Sequence, residues 1–170
     1  PGIWEEFSFG RIAYPQSRGD DLHRRSVYTF WRRAVAPTLF FDTAARTQCT
    51  VRTTRTNTPL HALTLLNDTT FVEAARALAE RVRAATPRPE EQIALAFRRA
   101  ACRTPDPREA AALRRLYTRS LAHYAADRAA ADRLTRVGET PRRDTDPVAL
   151  AAMTTVTSAI LNLDEVQTRE

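Results

Sequence analysis

The chain has 170 residues, enough for one domain with a core of its own, and its 43% hydrophobic and 27% charged residues are ordinary for a globular protein. The net charge is +6 and all 26 basic residues are arginine, yet they are spread along the chain rather than gathered into a nucleic-acid stripe. Only four glycines occur, none between Gly19 and Gly138, which excludes glycine-built phosphate loops and nucleophile elbows over that stretch.

Residues 1–20 hold Trp4, Phe7, Phe9 and Tyr14 among Gly and Pro with no helical period, and are expected to form an irregular lead-in. From Asp21 the spacing predicts a helix, because Val27, Phe30, Trp31 and Ala34 fall on one apolar stripe and Pro37 closes it. Residues 36–58 are the least regular; a short strand at Thr50–Thr54 and an extended loop are equally compatible with them. Thr58-Pro59 predicts a short helix with Thr as N-cap and Pro in the first turn, its apolar side formed by Leu60, Leu63, Leu65 and Leu66. Asn67-Asp68 ends that helix and caps the next, for which Thr70 to Glu73 also fits a capping box. Phe71, Val72, Ala75, Leu78, Ala79 and Val82 then repeat at helical spacing to about Ala85.

Pro87 and Pro89 mark a turn before a helix over Glu90–Cys102, with Ile93, Phe97 and Ala100–Ala101 inward and Cys102 expected to pack as a small apolar group. Asp106-Pro107-Arg108-Glu109 starts a helix read as running to about Leu134 with an arginine-rich exposed side. Gly138–Asp144 is a loop. Asp146-Pro147 starts a last, well-buried helix whose inward face holds Val148, Ala152, Thr155, Ala159 and Leu163, widened by Met153, Val156 and Ile160. The fold class expected is all-α: an irregular bundle of about six helices over 21–170, with the lead-in and one polar Arg/Thr-rich loop attached.

Cys49 and Cys102 match no zinc spacing, and His23, His61 and His123 add no ligand pattern, so no metal is expected. No cofactor is expected in this segment either. No run is apolar enough to span a membrane. Missing lysine is better explained by codon bias in a GC-rich genome than by a dedicated polyanion partner. The segment Arg46 to Leu60 stands out, being dense in arginines, short hydroxyls and amides. On one reading Arg46, Arg52, Arg55, Asn57 and His61 bind an anion or substrate near a helix N-terminus. On the other, the favoured one on these residues alone, the loop is structural and its arginines pair with Asp42, Asp68 or Glu73. Arg25 and Tyr28, on a polar face of the first helix, stay open as cleft-lining candidates.

The wording of several stretches resembles a known family. These are Arg24 to Arg33; Phe41-Asp42 followed by Arg46, Cys49 and Arg52; Arg55-Thr56-Asn57-Thr58-Pro59-Leu60-His61-Ala62-Leu63, running on to Asn67-Asp68 and Phe71 to Ala75; and Leu161 to Glu165. Together they resemble the C-terminal part of the planctomycete PSD-type domain of unknown function, over about residues 20–170. Two positions depart from the pattern: His61 stands where glutamine is usual, and Ala44 lies where proline is. The resemblance implies the C-terminal segment of a large, extracytoplasmic, multidomain protein, often in company with a c-type cytochrome domain. It transfers no catalytic residue, and it marks the Arg52–Asp68 segment as important without separating fold from function; Asp42, Cys49, Thr56, Thr58, Pro59, Asn67 and Asp68 are read as a structural motif.

Three roles are compatible with this reading. One is a structural module docking on upstream domains of the same chain. Another is a part of an enzyme acting on anionic or sulfated polysaccharide. The third, support for a neighbouring haem c domain, is implied by the resemblance alone; no Cys-x-x-Cys-His motif places such a haem here.

Overall fold

The computed structural model describes residues 17–19, 21 and 58–167. The chain divides into two compact units, Pro1–Ala36 and Pro37–Glu170. The described part of the second unit is all-α: α1 (Pro59–Asn67), α2 (Thr69–Ala85), α3 (Pro89–Ala101), α4 (Pro107–Ala126), α5 (Arg128–Thr135), α6 (Pro147–Leu161) and α7 (Asp164–Gln167). No strand occurs among the described residues. The helix expected from Asp21 and the alternative strand at 50–54 lie outside them.

Helix starts are where local chemistry acts most plainly. The Thr58 hydroxyl accepts from the His61 backbone N–H at 3.2 Å, with Pro59 in the first turn. The Asp106 carboxylate accepts from the backbones of Arg108 and Glu109, and the Glu109 side chain returns to the Asp106 N–H, a complete capping box. Asp146 accepts from Val148 and Ala149. In each case an oxygen satisfies N–H groups that the helix itself leaves unpaired.

Helix α6 is the centre of the bundle. Leu150, Ala151, Ala152, Met153, Val156 and Ile160 on it are fully buried. It packs on α2, α3, α4 and α5. Ala75 and Ala79 of α2, both without exposed surface, let the α6 backbone approach closely. The buried Thr157 hydroxyl crosses that contact to the Ala75 carbonyl at 2.8 Å, so a polar group in the core is satisfied between helices. Val82, Ile93, Ala96, Phe97 and Tyr117 complete the main cluster. Ala131, Val148 and Ala151 form a smaller one beneath α5.

Several expectations change. The helix from Pro107 does not run to Leu134: it breaks at Asp127, whose backbone leaves the helical region and whose carboxylate caps α5 through Ala130 N at 2.9 Å. The competing side-chain acceptor favours a new helix start over continuation. Thr70 and Glu73 form no capping box, because Asp68 takes the cap by accepting from Thr70 N at 2.9 Å and Glu73 turns away. Cys102 does not pack inside; it is exposed at the C-cap of α3 with φ 57°, a left-handed helix stop. On α6, Leu150, Thr154 and Thr157 are buried while Thr155 and Ala159 are only partly so, since helices surround α6 on more sides than one apolar stripe implies. The leucines of α1 divide likewise: Leu65 is buried, and Leu60, Leu63 and Leu66 are 59%, 57% and 43% exposed.

Candidate functional site

Of the residues singled out by sequence, Arg25, Tyr28, Asp42, Arg46, Cys49, Arg52, Arg55, Thr56 and Asn57 lie outside the described residues. The others meet around α1. Thr58 and Pro59 build its N-terminus, and half-buried His61 donates its backbone N–H to the cap. Asn67 does not cap α2; its amide donates back to the Leu63 carbonyl at 2.7 Å. Asp68 closes α1 by donating its N–H to Thr64 O at 2.8 Å, while its carboxylate opens α2. The conspicuous wording from Thr58 to Asp68 is thus a helix start, a helix stop and a second start in eleven residues. Asp68 and Glu73, named as partners for the loop arginines, are engaged in these and the following contacts; the arginines themselves lie outside the described residues.

The densest polar constellation lies elsewhere. Glu73, Arg76, Glu80 and Arg83 follow one another at helical spacing along α2, beside the apolar face of Ala75, Ala79 and Val82. Arg76 is 1% exposed. Its Nη2 donates to the Thr140 carbonyl at 2.6 Å and sits 3.6 Å from Glu73 Oε1, and its Nη1 donates to Glu80 at 3.0 Å. Glu73 accepts the backbone N–H groups of Thr140 at 2.7 Å and Glu139 at 3.3 Å. Glu80 also accepts from Arg143 N at 3.1 Å. At the far end Arg83 Nε donates to Asp144 at 2.6 Å. One face of α2 thereby holds the whole 139–144 loop by alternating charges.

Burial opposes ionisation of Glu73, yet the Thr140 and Glu139 contacts and the Arg76 charge hold its carboxyl below the ordinary range. Burial likewise opposes ionisation of Asp144, and Arg83 with the Asp146 N–H holds it low. A second fastening ties α5 to the same loop: Asp132, held low chiefly by Arg142, pairs with it at 2.9 Å and with Arg136 at 2.8 Å, while Arg142 also donates to Thr135. A third joins three helices. Arg103 donates to Glu109 and Glu165, both at 2.7 Å, and its guanidinium lies 4.8 Å from the Phe97 ring centroid. Glu109 is held down to about 2 by Arg103 first and by the Asp106 N–H.

Chemically these clusters satisfy one another, the buried Nε of Arg76 excepted. Each displaced carboxylate is displaced by a guanidinium or N–H of the same bundle. Among the described residues no group of three or more His, Cys, Asp and Glu is placed to hold a metal ion, and no helix is long and apolar enough to cross a membrane. A shallow groove of about 170 Å³ separates α3 from α4, floored by Ile93, Ala94, Pro105 and Ala110, with Glu90 and Arg114 at its margin. The α2 ladder carries a faint sequence signal in its Glu-x-x-Arg-x-x-x-Glu-x-x-Arg spacing, but its decisive partners are backbone groups of a loop more than sixty residues away, which spacing along α2 cannot show.

The family model PSD1, described as a protein of unknown function (DUF1553), matches residues 5–117. That span contains the Arg46–Asp68 segment and ends within α4; Leu161 to Glu165 lie beyond it. No curated protein and no solved structure matches the chain.

Proposed function

The chain belongs to the PSD1 family of proteins of unknown function (DUF1553), and from that premise we propose that it serves as a non-catalytic helical module docking on neighbouring domains of a larger, extracytoplasmic protein. One observation carries this reading: the exposed large hydrophobic residues of the described part, Leu60, Leu63 and Leu66, all lie on α1. Their spacing of three places them along one side of the helix. Helices α2 to α6 close a core of their own, with α6 buried on most sides. Helix α1 has a single buried residue, Leu65, and its other three leucines each keep roughly half of their surface in water. A contiguous apolar stripe beside a finished core is the usual mark of a contact surface. Consumption of the perturbed charges by internal partners supports a structural role over chemistry within α2 to α7. The planctomycete setting and the cytochrome company belong to the same proposal and rest on the resemblance described above.

The test is a pair of variants, Leu60→Asp with Leu63→Asp, in the chain alone and in the longer protein. In the chain alone the wild type should self-associate or bind an apolar dye, and the double variant should be a monodisperse monomer with an unchanged melting transition. In the longer protein the double variant should loosen α1, seen as faster amide exchange across residues 59–67. A wild-type chain that is monomeric, binds no dye and exchanges α1 equally fast in both settings would overturn the reading.

A further inference from the structure

Helix α4 presents a face that the internal network does not use. Residues 108, 115 and 119 are separated by seven and four positions, so Arg108, Arg115 and Arg119 stand in one row. All three are exposed, on the side opposite the buried Tyr117 and Ser120. Among the described residues no ion pair involves any of them. The nearest acids are committed elsewhere: Glu109 to Arg103 and the Asp106 N–H, and Asp106 to the helix cap. Between and beyond the arginines the face carries exposed alanines, Ala112 and Ala122. The row is therefore an acid-free positive edge about 16 Å long, at 1.5 Å per residue. Arg115 and Arg119 are a like-charged pair one turn apart, mildly unfavourable for the helix, and no acid among the described residues pairs with either.

We propose that this face of α4 binds an extended anionic polysaccharide, with sulfate or carboxylate groups gripped by Arg108, Arg115 and Arg119. The guanidinium fork matches those oxyanions in bidentate geometry. The other residues of the face argue against different partners. Its exposed ring, His123 one turn beyond Arg119, is a single one, too little of a platform for the successive bases of a single-stranded nucleic acid to stack on. It also lacks the large apolar side chains that anchor a helix in a lipid surface. Small alanines leave the guanidinium groups proud of the surface and open to a linear chain laid along the helix. The site is separate from the leucine stripe of α1 and does not depend on it.

The experiment measures binding of the full chain to heparin, used as a sulfated polysaccharide probe, against a salt series, with duplex DNA and uncharged dextran in parallel. Wild-type protein should bind heparin in a salt-dependent way, ignore dextran and bind duplex DNA at least about tenfold more weakly. The variant Arg108→Ala/Arg115→Ala/Arg119→Ala should lose about tenfold or more in affinity and show a shallower salt slope. Alanine favours helix, so its circular dichroism should match wild type. A control, Arg81→Ala/Arg98→Ala/Arg143→Ala, removes the same charge from exposed positions elsewhere and should keep affinity within about twofold. Replacing the three α4 arginines by lysine keeps the charge but loses the fork, and should give an intermediate affinity. Equal losses in the α4 and control variants would reduce the effect to net charge and overturn the proposal. So would failure to bind heparin, or duplex DNA bound as tightly as heparin.

Discussion

At position 138 the backbone has φ +95°, and a methyl group there would lie 2.3 Å from the Glu73 carboxyl carbon. Ordinarily the end of a glutamate side chain yields to such an intrusion. Glu73 has nowhere to go: it is buried, it accepts from Thr140 and Glu139, and Arg76 stands beside it. Gly138→Ala should therefore destabilise the fold by about 2–4 kcal/mol, from backbone strain and a forced break in the Glu73 contacts. Urea denaturation measures it; a loss below about 0.5 kcal/mol would show that Glu73 is free to move. Arg76→Ala should cost about 3 kcal/mol or more, because it leaves Glu73 and Glu80 facing each other without the cation between them. The orphaned Nε of Arg76 marks the limit of that arrangement, since its guanidinium is buried but not fully bonded. If Arg76→Met is as stable as wild type, the guanidinium contributes packing rather than charge.

Elements were legible in the sequence wherever their ends carried side-chain chemistry. Thr58-Pro59, Asp106-Pro107 and Asp146-Pro147 each begin a helix because an oxygen can reach unpaired N–H groups and proline tolerates the first turn. The break at Asp127 was not legible, because alanines on both sides favour helix and only the geometry shows the Asp127 carboxylate turning to Ala130. Nor was the α2 ladder: Glu73 and Arg76 read as an ordinary helical pair until the 139–144 loop is laid across them. The candidate site was legible only as a motif. Its described part, Thr58 to Asp68, carries the caps of α1 and α2. Capping energies give a direct check at this scale. Asp106→Ala removes both acceptor contacts to Arg108 and Glu109, and should lower stability by about 1 kcal/mol. Asp127→Ala should cost α5 its cap but make the stretch from α4 to α5 a better helix, so its net effect should be smaller than that of Asp106→Ala. Paired thermal melts compare the two directly.

Across the whole molecule, apolar packing on α6 supplies the cohesion while ion pairs decide where the loops and the last short helix lie. Those pairs link distant parts of the chain: Glu73 and Arg83 hold the 139–144 loop, and Arg103 holds α7 through Glu165. This division predicts the dependence of stability on pH. Glu73, Glu109, Asp132 and Asp144 all titrate below their ordinary values in the folded protein. In that range the unfolded chain binds more protons than the folded one, so lowering the pH favours unfolding. Their contribution is complete above the unfolded carboxylate range near pH 4 and is lost as the pH falls through the folded values, which for Glu109 extends to about 2. At the other end burial raises the Tyr117 hydroxyl above its model-peptide value of 10.0, so its contribution is present below that pH and lost as pH rises through the folded value. Urea midpoints measured from pH 2 to 11 should form a plateau with a steep acid edge between about pH 4 and 2. Because the acid edge belongs to loop-holding pairs and not to the core, amide exchange in residues 139–144 should rise there before exchange in α6 does. Simultaneous loss of protection in both would place the carboxylates in the same cooperative unit as the core and contradict this division of roles.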